Sequence, residues 1–321
     1  MYPMRTSFMT ISLLFATTAS AGSEGYTNDF IALGDIHNVC LQSFGEAYGG
    51  WENLNSWPEI TFGEVYAKTV DCTVEQLRDD ALSVEFVHEF FPEEYVYCGI
   101  NTDGNHADPA VSDAMYVLEV TIEEHVTRLI TYQEPRDLVL EELTHALYAI
   151  DDGYDFSPES QLVYEAAAAI GFRSFEFWTD PARLDALLVA AESHSDDDGG
   201  DDGGDDGGSA GGVVTVSKVV LADMEGGSWG AAAGAAVGGL VGGGIGAIGF
   251  IGGPLGVPTT AAGAESGAII GGGVGALVGG IAGSIVEGMD DDIDEPGEVE
   301  DDGGEWTPDD GDCPRDSFPQ D

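Results

Sequence analysis

A chain of 321 residues with 43% hydrophobic content is long enough for one packed domain plus appendages. Its 60 acidic residues against 9 basic ones give a formal charge of −51 at pH 7. That balance excludes nucleic-acid binding, because affinity for phosphates comes from Lys and Arg, and it repels an anionic membrane surface until salt screens it, within about 10 Å at 0.1 M.

The first residues read as a secretory signal peptide over 1–21. Arg5 supplies the basic start, "SFMTISLLFATT" an apolar run too short to span a bilayer, and Ala19-Ser20-Ala21 a small-residue cleavage site. The mature chain is therefore expected to start near Gly22 and to reach the cell envelope or the outside. Export would place Cys40, Cys72, Cys98 and Cys313 in an oxidising compartment, where disulfides persist. Four cysteines allow three complete pairings, and spacing does not choose among them. A bridge among the first three is expected.

Residues 22–194 carry helical periodicity and read as an all-α domain of six or seven helices. A first helix is expected from Asn28 to about Tyr48. Thr73 followed by Gln76 looks like a capping box opening "VEQLRDDAL". Met115, Leu118, Ile122, Val126 and Leu129 form one apolar stripe, and Leu140, Leu143, Leu147 and Ile150 form another. Ser157 before Pro158, and Asp180 before Pro181, mark two further starts. No alternating strand pattern is evident.

Residues 195–212, "SDDDGGDDGGDDGGSAGG", read as an acidic Asp/Gly linker that cannot bury apolar surface and should be disordered. Its carboxylates can hold divalent cations weakly, but the spacing is not that of a defined calcium loop. Residues 213–286 form a lead-in segment and a glycine-rich hairpin. Within it Gly226, Gly230, Gly234, Gly238, Gly242 and Gly246 recur every four residues. After a break Gly263, Gly267, Gly271, Gly275, Gly279 and Gly283 do the same. Residues four apart share one face of a helix, so each stretch presents a glycine ridge on which another backbone can settle. Pro254 and Pro258 between them would break a continuous helix. The expected partners of these ridges are membrane lipid or one another. Residues 287–321 hold 16 acids and one basic residue, Arg315, and read as a disordered tail.

The glycine ridges resemble the glycine-zipper segments of bacterial envelope proteins and two-peptide bacteriocins. "LGDIHNVCLQSF", "AAAAIGFRSFEFW" and "KVVLADMEGGSWGAAAGAAVGGLVGG", in that order, resemble a group of secreted bacterial proteins with an N-terminal helical domain and a C-terminal glycine zipper. The resemblance implies architecture and brings no activity with it.

Signals for chemistry are sparse. His37 stands three residues before Cys40, a pairing that can make a nucleophile, but a disulfide would consume the thiol. Glu142 and His145 have the Glu-x-x-His spacing of di-iron bundles, without the second such pair and the two further glutamates such a site needs. Glu124-His125 and His88-Glu89 lack that spacing. The sequence points to no enzyme, cofactor or metal. The expectation is a mainly α, exported, non-enzymatic protein whose hairpin enters or assembles at a membrane. The alternative is a soluble binding or catalytic helical domain in which the hairpin serves only for oligomerisation.

Overall fold

The protein is mainly helical. The computed structural model describes residues 25–28, 30–58, 60–77, 83–93, 96–97, 108–194, 207–248, 271–286 and 293–294. The expected signal peptide, 1–21, and residues 195–206 lie outside them.

The first helix, α1 (Ile31–Ala47), buries Leu33, His37, Cys40, Leu41 and Phe44 on one stripe. It stops where Gly49 and Gly50 take φ of 97° and 96°, a left-handed conformation that glycine adopts without strain. The chain then turns through a short 3-10 segment, Trp51–Ser56, whose Trp51 indole donates to the Leu41 carbonyl at 3.0 Å. Phe44, Trp51, Trp57 and Trp178 form an aromatic cluster at this corner.

Helix α2 (Phe62–Leu77) overturns one expectation. Thr73 is no helix cap: it is buried in the helix interior. The stripe Phe62, Val65, Tyr66, Thr69, Val70 runs straight on into Thr73, so continuing the helix buries more apolar surface than restarting it there. The short α3 (Val84–Phe90) follows.

Helices α4 (Pro109–Ile130), α5 (Arg136–Gly153), α6 (Pro158–Trp178) and α7 (Pro181–His194) complete the shell. The Asp108 side chain caps α4, accepting from the Ala110 amide at 2.9 Å and also from the Ser160 hydroxyl, so it ties the starts of α4 and α6 together. These two donors hold its carboxyl below the usual carboxylate range. Ser157 caps α6 through the Ser160 amide at 3.2 Å, and Asp180 receives the Ala182 amide at 3.2 Å. On α4 Met115, Leu118, Ile122 and Val126 are buried and Leu129 is half-buried.

Helix α6 is central. Residues Leu162–Tyr164 and Ala166–Phe172 are buried without interruption, and α1, α4, α5 and α7 all pack on it. Its run of alanines lets neighbours approach: a Cβ on Gly34 of α1 would stand 2.5 Å from the Ala169 carbonyl oxygen.

Two more helices complete the core. Helix α8 (Gly207–Ile248) starts inside the stretch expected to be linker, just after the last of the paired aspartates. Helix α9 spans 271–286. Neither stands apart on a tether. Helix α8 packs on α4, α6 and α7, and every residue from 271 to 285 is buried.

Residues 293–294, within the expected tail, pair in parallel with 60–61, Ile60 opposite Ile293 and Thr61 opposite Asp294. A two-residue pairing leaves no periodicity for a sequence reading to find.

Candidate functional site

The distinctive feature is the meeting of α8 and α9. Gly226 faces Gly279, Gly230 faces Gly275, and Gly234 faces Gly271, stepping up one helix and down the other. Gly283 faces Ala222, so a small residue extends the four-residue spacing by one turn. The approach is backbone on backbone. A Cβ on Gly230 would stand 1.9 Å from the Gly275 carbonyl oxygen, and one on Gly275 would stand 1.9 Å from that of Gly230. The hydrogen in each Cβ position therefore points at a carbonyl, the geometry of weak Cα–H···O contacts. The seven ridge glycines whose contacts are described disfavour helix by about 7 kcal/mol relative to alanine. Contacts this close, closed to any larger residue, offset that penalty.

Gly238, Gly242 and Gly246 lie on α8, with surroundings outside the described residues, as do Gly263 and Gly267 altogether. Cys40 and Cys72 form the disulfide, joining α1 to α2 with an S–S distance of 2.08 Å. Cys98 and Cys313 lie outside the described residues.

The outer faces of the pair seat in the shell. Val274, Leu277, Val278, Ile281 and Ile285 of α9 are all buried. A Cβ on Gly273 would meet the Leu33 side chain at 3.4 Å, and one on Gly272 would stand 2.9 Å from Leu162 Cδ2 and 3.6 Å from Ala235 Cβ. A Cβ on Gly227 of α8 would stand 2.9 Å from Ile170 Cδ1 of α6.

Where α1, α6, α8 and α9 converge there is a buried polar cluster. Asp223 of α8, three residues before Gly226, is the only carboxylate among the described residues that is buried. Its Oδ1 lies 3.0 Å from His37 Nε2, with both side chains fully buried. The contact is poorly aligned for a hydrogen bond, and neither atom has another partner. Oδ2 accepts from the Ser174 hydroxyl and from the Trp178 indole, the latter at 3.2 Å. His37 Nδ1 faces Asn38 Oδ1 at 3.2 Å, while Asn38 Nδ2 donates to the Arg173 carbonyl at 2.8 Å and so fixes the orientation of the amide. Both ring nitrogens thus face oxygen acceptors, Asp223 Oδ1 and Asn38 Oδ1. A Cβ on Gly280 of α9 would come within 2.9 Å of the Asp223 carbonyl oxygen and 3.4 Å of the His37 ring.

No protein-family model, curated protein or solved structure matches this chain. What can be said of the site rests on its own geometry.

That geometry does not make a nucleophile of Cys40, which is committed to Cys72. Glu142 pairs with Arg128 at 2.5 Å, and Arg128 also holds Glu134 at 2.6 Å, while His145 is exposed on the same helix. His88 Nδ1 meets the Tyr66 hydroxyl at 3.1 Å, and His125 Nδ1 donates to the Thr121 carbonyl at 2.7 Å. Among the described residues no three His, Cys, Asp or Glu side chains come together as a metal set. Asp223, Ser174 and Trp178 are the residues a sequence reading passes over. The available signal was a lone Asp in the otherwise apolar "VVLADM", set on the helix face that continues into Gly226 and Gly230.

Proposed function

We propose that this is an exported, non-enzymatic protein that carries a membrane-active helical hairpin inside a helical sheath and delivers it to a lipid bilayer. The observation behind this reading is the burial of α9. Residues 271–285 carry no charge and are enclosed by the very helices that give the molecule its polar surface. An apolar helix pair needs such a cover in water. In lipid it needs none, because its backbone is paired internally and its glycine faces supply the close packing that holds helices together there. The charge of −51 makes a zwitterionic bilayer the better target, since an anionic one repels the sheath. An envelope anchor and a permeabilising protein both fit this behaviour.

A second reading has its own support. The described ridge glycines are satisfied by one another within a single chain, and among the described residues no helix is long and apolar enough to cross a membrane. On that reading the hairpin is a permanent core. The same intramolecular contacts count against the ridges serving to join separate chains.

Flotation of the full chain with phosphatidylcholine vesicles separates the readings. Delivery to lipid brings the protein to the top of the gradient and gives new protease protection to residues 226–285. A protein that stays at the bottom at every lipid concentration leaves the hairpin as a core element only.

A further inference from the structure

We propose that His37, Ser174 and Trp178 form a latch for Asp223, and that parting the His37–Asp223 contact is the step that frees the hairpin from its sheath. The proposal rests on the reading that the hairpin leaves. Of 60 acidic residues, Asp223 is the only one buried among those described, and it sits on the hairpin itself. Every group that satisfies it belongs to the shell: His37 to α1, Ser174 and Trp178 to α6.

The neighbouring shell charges are matched elsewhere. Arg173 Nε lies 2.9 Å from Asp35 Oδ1, and its Nη1 lies 2.5 Å from Glu176 Oε2. His37 is thus the shell group that faces Asp223 Oδ1. A lone carboxylate in this buried junction would be strongly unfavourable, whereas apolar replacement of both partners in such pairs is often neutral or stabilising. The hairpin therefore stays seated while the pair is whole. Loss of His37 favours any state that returns Asp223 to water, and moving α8 out of the sheath does so. Gly280 links the same event to α9, since a Cβ there would stand 2.9 Å from the Asp223 carbonyl oxygen and 3.4 Å from the His37 ring.

The test uses the full chain and phosphatidylcholine vesicles. His37→Leu should float at roughly tenfold less lipid than wild type. His37→Gln, which can still offer an N–H donor toward Oδ1, should fall between. The double variant His37→Leu/Asp223→Leu should return to wild-type behaviour or bind less. Leu147→Ala, a buried truncation in α5 away from the hairpin, should lower the melting temperature without raising flotation. The latch is overturned if the double variant floats like His37→Leu, or if Leu147→Ala matches His37→Leu. If no protein floats, the delivery reading fails by itself, and hydrogen exchange then judges the latch. Protection lost in His37→Leu over 222–235 and 271–285 ahead of α5 supports it; protection lost evenly across the helices overturns it.

Discussion

Replacing Gly230 by alanine should destabilise the protein, although alanine is the better helix former by about 1 kcal/mol. The new methyl would stand 1.9 Å from the Gly275 carbonyl oxygen and 2.3 Å from its carbon. Ordinary contact begins near 3.4 Å, so α8 and α9 would have to separate by about 1.5 Å. A gap of 0.5–1 Å already forfeits a quarter to a half of a dispersion contact. Overpacking a core usually costs about 1–3 kcal/mol, and here both sides of the clash are backbone, which cannot rotate away. A cost of about 3 kcal/mol or more, less the helix gain, leaves a net loss of about 2 kcal/mol or more. For a domain of this size that is a fall in melting temperature of roughly 4–8 °C. Gly273→Ala is the matched control in α9. Its nearest neighbour, Leu33 Cδ2, would lie at 3.4 Å, so the same substitution should be neutral or stabilise by up to about 1 kcal/mol. Thermal melts followed by circular dichroism read both. If Gly230→Ala melts at or above wild type, as Gly273→Ala should, the helices do not approach backbone to backbone and the reasoning is wrong.

Removing the Cys40–Cys72 bridge by Cys40→Ala/Cys72→Ala should cost about 3–4 kcal/mol, because it closes a loop of 32 residues, and denaturant titration would show it as a lower midpoint. Ser157→Ala removes the α6 cap and should cost about 1 kcal/mol in the same assay, while Ser157→Asp should lose little. Asp151 is half-buried, and burial raises its carboxyl above the usual range although the Tyr26 hydroxyl donates to it at 3.0 Å. The folded state then holds that proton more tightly than the unfolded chain. Acidifying from neutrality through the raised value should therefore relieve a destabilising contribution, and melts of Asp151→Asn across that range should lack this gain.

The local signals in the sequence were readable because each has a local cause. Ser157-Pro158 and Asp180-Pro181 mark helix starts by satisfying amides that no helix turn can reach. The four-residue glycine spacing defines one helix face, and over Gly226–Gly234 and Gly271–Gly283 that face is the one meeting its partner. Thr73 misled because a capping box and a buried turn of helix use the same residue types, and only the upstream stripe from Phe62 decides between them. The seat of the hairpin was not readable. An Asp/Gly stretch suggests separation, yet the affinity of α8 and α9 for α1, α4, α6 and α7 is a property of surfaces far apart in the chain. Asp223 shows this most plainly: its partners His37, Ser174 and Trp178 come from two other helices, and nothing near it in the sequence names them.

The central claim is that a hairpin buried in water moves to lipid. Hydrogen exchange by mass spectrometry on the full chain, with and without phosphatidylcholine vesicles, tests it at residues 271–285 and in α6. Without lipid both should be strongly protected, as buried helices are. With lipid, 271–285 should stay protected while amides of α6 over Leu162–Gly171, a stretch that meets the hairpin through Leu162, Ile170 and Gly171, exchange faster as the sheath opens. Protection in α6 that does not change at saturating lipid would contradict the account.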